Sequence, residues 1–121
     1  MKEIEIKIYT EKEGKDAVER KMIQFRNPTR REYLKWRETL LNAKSERDKV
    51  SNGTEEEKLE TDRKILSMAD DVKYSLLIGL NTNKVFTTQN DFLDVDQENL
   101  REILAWFNEQ MSEDTDRFLK K

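Results

Sequence analysis

Residues 2–9, "KEIEIKIY", place Ile4, Ile6 and Ile8 at every second position, with Lys2, Glu5 and Lys7 around and between them. A period of two puts the isoleucines on one face, which predicts a strand buried on one side. The next stretch, "TEKEGKDA", is charged and carries Gly14, so it reads as a turn or loop. "ERKMIQFR" then returns to a strand pattern, with Met22, Ile23 and Phe25 as its apolar residues. An antiparallel hairpin over about residues 2–26 is the simple reading. A lone hairpin is marginal in water, so a helix is expected to cover one of its faces.

The period then lengthens. Pro28, the only proline, biases Asn27 away from the helical region. Thr29 followed by Glu32 has capping-box spacing and marks a helix start. Tyr33, Trp36, Leu40 and Ala43 form the main stripe of this helix, flanked by Leu34 and Leu41. It fades through "KSERDKV" and breaks at Asn52 and Gly53, both turn residues. "VSNGTEEE" has no apolar anchor and is the expected flexible point. Thr54 and Glu57 repeat the capping spacing, and a long helix is predicted from about residue 55 to about residue 80. Its apolar positions are Leu59, Ile65, Leu66, Ala69, Val72, Leu76, Leu77 and Leu80. The first half is acidic and the second half apolar, so the C-terminal half is expected to be the packed one. A last helix starts near Asp94 or Asp96, with Leu100, Ile103, Leu104, Phe107 and Met111 at helical spacing. Residues 112–121, "SEDTDRFLKK", read as a polar tail with one apolar pair, Phe118 and Leu119, either a short extra helix or a frayed end. The predicted class is α+β, mainly α-helical, an N-terminal β-hairpin followed by three to four helices. The boundaries are a single domain over 1–121, with the helical part at about 29–111.

Composition narrows the picture. Of the 121 residues, 40% are charged and 35% hydrophobic, against an ordinary charged share of about 25%. Such a chain supports a thin core and helices with wide solvated faces. The net charge of −3 argues against general nucleic-acid binding. No apolar run is long enough for a bilayer, and no secretory signal follows Met1, so a cytoplasmic location is expected. Cys and His are both absent. That removes thiolate chemistry and the commonest general base and metal ligand. An enzyme would have to run on carboxylates, lysines or hydroxyls, and neither an enzyme nor a cofactor is expected.

The remaining candidates for chemistry are weak. Asp94, Asp96 and Glu98 fall at positions one, three and five of a calcium loop, but Asn99 stands where Gly is needed and Ala105 where a bidentate Glu is needed. Helix capping explains the acids better. The pairs Asp70 with Asp71 and Asp114 with Asp116 lack an apolar setting that would raise a pKa. Arg26, Arg30, Arg31, Lys35 and Arg37 form a basic cluster interleaved with Tyr33 and Trp36, which could grip phosphates and stack bases. With Glu32 and Glu38 on the same helix, a solvated charged face explains it better. Gly14, Gly53 and Gly79 are isolated and make no phosphate loop.

One stretch stands apart. "KVFTTQNDFLD", residues 84–94, keeps Phe86, Phe92 and Leu93 among small polar residues. Either its aromatics plug the protein's own core, or they anchor a partner, since aromatic anchors dominate binding energies. In order, the hairpin, the helix after "NPTRREYLKW", the charged spacer, the apolar helix end "VKYSLLIGL" and "KVFTTQNDFLDVDQENLREILAWF" resemble the small tail assembly chaperones of long-tailed phages and prophages of Gram-positive hosts. The matching positions are Phe86, Thr87, Asp91, Phe92, Asp94 and the helix from about Glu98. The resemblance is specific over residues 72–107.

The resemblance implies a non-enzymatic assembly factor in the host cytoplasm, absent from the mature virion. Its partners would be the tape measure protein, held soluble during assembly, and in some cases the tail tube protein. Many members are made in two lengths by a programmed frameshift, with which the "FLKK" ending is compatible. On this reading Phe86, Phe92, Leu93, Trp106 and Phe107 are the partner-binding candidates, with Trp36 behind them. Trp106 lies off the centre of the last helix's stripe and is expected to be exposed. Two alternatives stay open: another phage morphogenesis protein, or a small nucleic-acid-associated regulator using the Arg26–Arg37 cluster. Exposed apolar stripes leave a homo-oligomer open as well.

Overall fold

The computed structural model describes residues 1–12 and 14–119. Two strands, β1 (Lys2–Lys12) and β2 (Lys15–Phe25), pair antiparallel. Ile4 lies opposite Ile23, Ile6 opposite Lys21, and Tyr9 opposite Val18. Ile4, Ile6, Ile23 and Phe25 share the buried face, as the alternation requires. Glu5, Lys7, Tyr9, Val18, Arg20 and Met22 share the outer face and are exposed.

The hairpin is longer than its apolar pattern. Most of the stretch read as a loop, residues 10–17, is strand, with Thr10 opposite Ala17 and Lys12 opposite Lys15. The isoleucine signal ends where the core ends, yet the hydrogen-bond ladder continues past it. Gly14 closes the turn at φ +74°, a conformation that glycine takes without a Cβ penalty.

Helix α1 (Arg30–Lys49) starts on a complete capping box. The Thr29 hydroxyl accepts from the Glu32 N–H at 3.3 Å, and the Glu32 carboxylate accepts from the Thr29 N–H at 2.9 Å. Helix α2 (Glu55–Leu80) is capped by Thr54, whose hydroxyl accepts from the Glu57 N–H at 3.2 Å. A single 3-10 turn covers Gln89–Phe92, and α3 spans Gln97–Leu119. The architecture is α+β and mainly α: a hairpin, then three α-helices. The segment read as a polar tail continues α3 to Leu119; the side chains of Phe118 and Leu119 lie outside the described residues. Among the described residues no helix is long and apolar enough to cross a membrane.

The core gathers where the inner face of the hairpin meets the last turns of α2 and the middle of α3. Ile4, Ile6, Ile23 and Phe25 join Leu76, Leu77 and Leu80, then Ile103, Phe107 and Met111, and Tyr33 and Trp36 of α1 close one side. Trp36 meets the Phe107 ring edge-on at 5.3 Å, and Trp106 stacks on Phe25 at 5.0 Å, arrangements that add to simple burial. The packed half of α2 is its C-terminal half. In the N-terminal half Ile65 is buried, while Leu59 and Leu66 are not.

Candidate partner-binding surface

The segment from Asn81 to Asp96 is built as a brace for the core. Asn81, fully buried, ends α2 and holds three main-chain paths together. Its Nδ2 donates to the Gln24 carbonyl at 3.0 Å and to Asn83 Oδ1 at 2.7 Å, and its Oδ1 accepts from the Phe86 N–H at 2.8 Å. Asn83 donates in turn to the Met22 carbonyl at 2.8 Å. Lys84 takes φ +55° just after the turn at residues 82–83, and Phe86 beyond it is fully buried. Asp91 accepts from the Thr87 and Thr88 N–H groups at 2.8 and 3.0 Å, which closes the next turn. Those two amides hold its carboxyl below the usual carboxylate range.

At the end of the segment Val95 bridges to Ile8 on the free edge of β1. Asp96 accepts from the Tyr9 hydroxyl at 2.8 Å and from the Glu98 and Asn99 N–H groups, so it caps α3. The Tyr9 hydroxyl, then the two amides, lower the Asp96 pKa, and Asp96 in turn raises that of Tyr9. Asp96, the third position of the calcium-loop pattern, is thus a helix cap. Among the described residues no group of three or more acidic side chains gathers as a metal site.

This frame corrects the expected exposed strip. Phe86, Phe92, Trp106 and Phe107 are all buried. Phe86 and Phe92 stack on each other at 4.1 Å, and Phe92 lies 4.9 Å from the Tyr74 ring. Trp106 sits off the α3 stripe but is only 7% exposed, because the hairpin packs on that flank and supplies Phe25. Trp36 is buried as well, with the Lys73 ammonium 5.6 Å from its ring centre. Leu93 alone of the five candidates is on the surface, at 78% exposure. It borders a shallow hollow of about 440 Å³ with Asp70, Asp71, Tyr74, Gln89 and Leu100.

The large exposed apolar side chains lie mostly elsewhere, on the helical hairpin. Leu34, Leu40 and Leu41 of α1 and Leu59, Leu66 and Met68 of α2 are exposed, Leu66 at 63% and Leu59 at 55%. Leu59 and Leu66 stand two turns apart on one line of α2, and Leu34 and Leu41 do the same on α1. Between α1 and α3 runs a groove of about 350 Å³ lined by Tyr33, Trp36, Leu40 and Met111, with Arg37 and Asn108 beside them. The sequence reading placed Leu40, Leu59 and Leu66 in the core stripes. A helical stripe shows which residues share a face, but not which of them another element covers, so the sequence held no signal that would have moved them outward.

The basic cluster is partly committed. Arg26 holds Glu32 through paired contacts of 2.6 and 3.0 Å. Partial burial pushes the Glu32 carboxyl up, but the Arg26 and Thr29 hydrogen bonds outweigh it and the net shift is downward. Tyr33 and Trp36 are buried, so neither offers a free face to a base. No family model, curated protein or solved structure matches the chain.

Proposed function

We propose that this protein is a non-enzymatic phage tail assembly chaperone, working in the host bacterial cytoplasm and holding an apolar helix of the tape measure protein on its α1–α2 hairpin. The observation that carries this reading is the set of exposed leucines, Leu40, Leu41, Leu59 and Leu66, on a chain that is 40% charged. Scattered single apolar residues need no explanation, but leucines repeated along two adjacent helices make a surface that water disfavours and a helical partner would cover. The groove between α1 and α3, with its aromatic lining, has the form that takes the apolar edge of an amphipathic helix. The resemblance of residues 72–107 to the tail chaperones supports the same reading. Its matching residues, Phe86, Thr87, Asp91 and Phe92, build the brace. They would preserve the scaffold, with the partner held by the leucines.

The test is co-expression with the long helical tape measure protein of the same phage or prophage, followed by pull-down. Capture is expected from the unaltered chain and is expected to be lost in the Leu40→Ser, Leu59→Ser, Leu66→Ser triple variant with its circular dichroism unchanged. No capture by the unaltered chain, or full capture by the folded triple variant, would reject this assignment.

A further inference from the structure

The outer edge of β2 is met at one end only. On β2, Gln24 turns its N–H to Asn83 Oδ1 at 3.3 Å and its carbonyl to the Thr82 N–H at 2.9 Å, and Met22 turns its carbonyl to Asn83 Nδ2. The even-numbered residues of β2 therefore direct their main-chain groups away from β1. Past Met22 the flanking segment ends, since Phe25 with Asn81 is the isolated bridge on that side. Asp16, Val18 and Arg20 continue the same parity, and the sheet has only two strands. Among the described residues nothing meets their outward N–H and C=O groups. No proline or bulge blunts this edge over 16–20.

We propose that the β2 edge pairs with a second copy of this chain, antiparallel about a two-fold axis at Val18. In that register Val18 faces the second copy's Val18, and Asp16 faces its Arg20, twice by symmetry. Each outward main-chain group of the three residues then finds a partner, and both cross-strand pairs join opposite charges. Centring the axis on Asp16 or Arg20 instead would set like charges face to face, and on Glu19 acid against acid, so the charge pattern disfavours those registers. The outer face agrees with it. Val18 is 51% exposed and lies opposite Tyr9, 48% exposed. Pairing makes one apolar ridge of Tyr9, Val18 and their two symmetry mates. The charges that usually keep an edge solitary are here placed to suit a second copy. This pairing stands whether or not the chain is an assembly chaperone, and its test needs no other protein.

Five paired residues make a small interface, so the dimer is expected to be weak, with Kd on the order of 100 μM. Sedimentation equilibrium of the purified chain from about 10 μM to about 1 mM spans that range. Arg20→Asp sets acid against acid at both pairs and is expected to weaken association about tenfold. The double exchange Asp16→Arg, Arg20→Asp rebuilds both pairs in reverse and is expected to recover association to within about threefold. Val18→Pro removes the central donor, whose N–H β1 does not use, and is expected to abolish it. The charge exchange decides the matter even where the proline disturbs the hairpin. A chain that stays monomeric to about 1 mM, or a dimer that Arg20→Asp leaves unchanged, or one that the double exchange does not restore, would overturn the proposal.

Discussion

Asn81→Asp is the change that most directly probes the brace. The two side chains have the same shape, so no cavity opens. What changes is the pattern of donors. Oδ1 can still accept from the Phe86 N–H, but Nδ2 becomes an oxygen facing the Gln24 carbonyl at 3.0 Å and Asn83 Oδ1 at 2.7 Å. Asn83 cannot turn its own donor to meet it without releasing the Met22 carbonyl. Two hydrogen bonds are lost, worth about 1 kcal/mol each, and a charge is created at a fully buried site. The expected loss at pH 7 is about 3–5 kcal/mol, a large fraction of the usual ~5–15 kcal/mol of a small protein. Asn81→Ala leaves only the Phe86 N–H without a partner, since Thr82 still serves the Gln24 carbonyl. It is expected to cost less, about 2–3 kcal/mol. Urea unfolding followed by circular dichroism gives both values, with the slope unchanged. The pH dependence is a second check. Burial raises the folded pKa of the new carboxyl above its unfolded value of about 3.9. The folded variant then binds protons that the unfolded chain does not, so its stability rises as pH falls from neutral toward about 4. The gap to the unaltered chain should narrow over that window. An Asn81→Asp protein within about 1 kcal/mol of the parent at pH 7, or a gap that does not change with pH, would refute this account of the brace.

Two further expectations follow from the same segment and its neighbours. Phe86→Ala removes a fully buried ring stacked on Phe92 and should cost about 3–5 kcal/mol, whereas Leu93→Ser, one residue beyond that ring's partner and exposed, should stay within about 0.5 kcal/mol; equal urea midpoints for the two variants would contradict the burial described. Glu32, Asp91 and Asp96 all have lowered folded pKa values, so the stability they contribute is present above their unfolded values near pH 4 and is lost as pH falls through the lower folded values; a denaturation midpoint that stays flat from about pH 5 down to about pH 2 would show that these hydrogen bonds carry no stability.

The elements were legible because each has a local cause. Thr29 with Glu32 and Thr54 with Glu57 mark helix starts through hydrogen bonds that span three residues, and Ile4 and Ile6 mark a strand by alternation alone. The length of the hairpin was not legible, because beyond Ile8 the ladder continues on main-chain bonds that leave no apolar trace. Trp106 was misplaced for a related reason. Helical spacing gives the centre of a buried stripe, but the width of that stripe depends on what packs beside it, and Phe25 comes from a strand some eighty residues away in the chain. Asn81 gave no signal at all, since a buried amide and a turn asparagine look alike until the Gln24 carbonyl and the Phe86 N–H are placed around it.

The same non-local argument bears on where the proposed partner would bind. An apolar residue is core only when another element covers it. Leu76, Leu77 and Leu80 are covered by the hairpin and α3, while Leu59 and Leu66, on the same helix and equally apolar, have no such cover. The brace closes the aromatic end of the molecule so completely that Phe86, Phe92 and Phe107 have no surface left to give. On the proposed reading, the binding energy would come from the leucines of the helical hairpin. A partner that is itself a long apolar helix would cover them with the kind of packing that Leu77 and Leu80 already have.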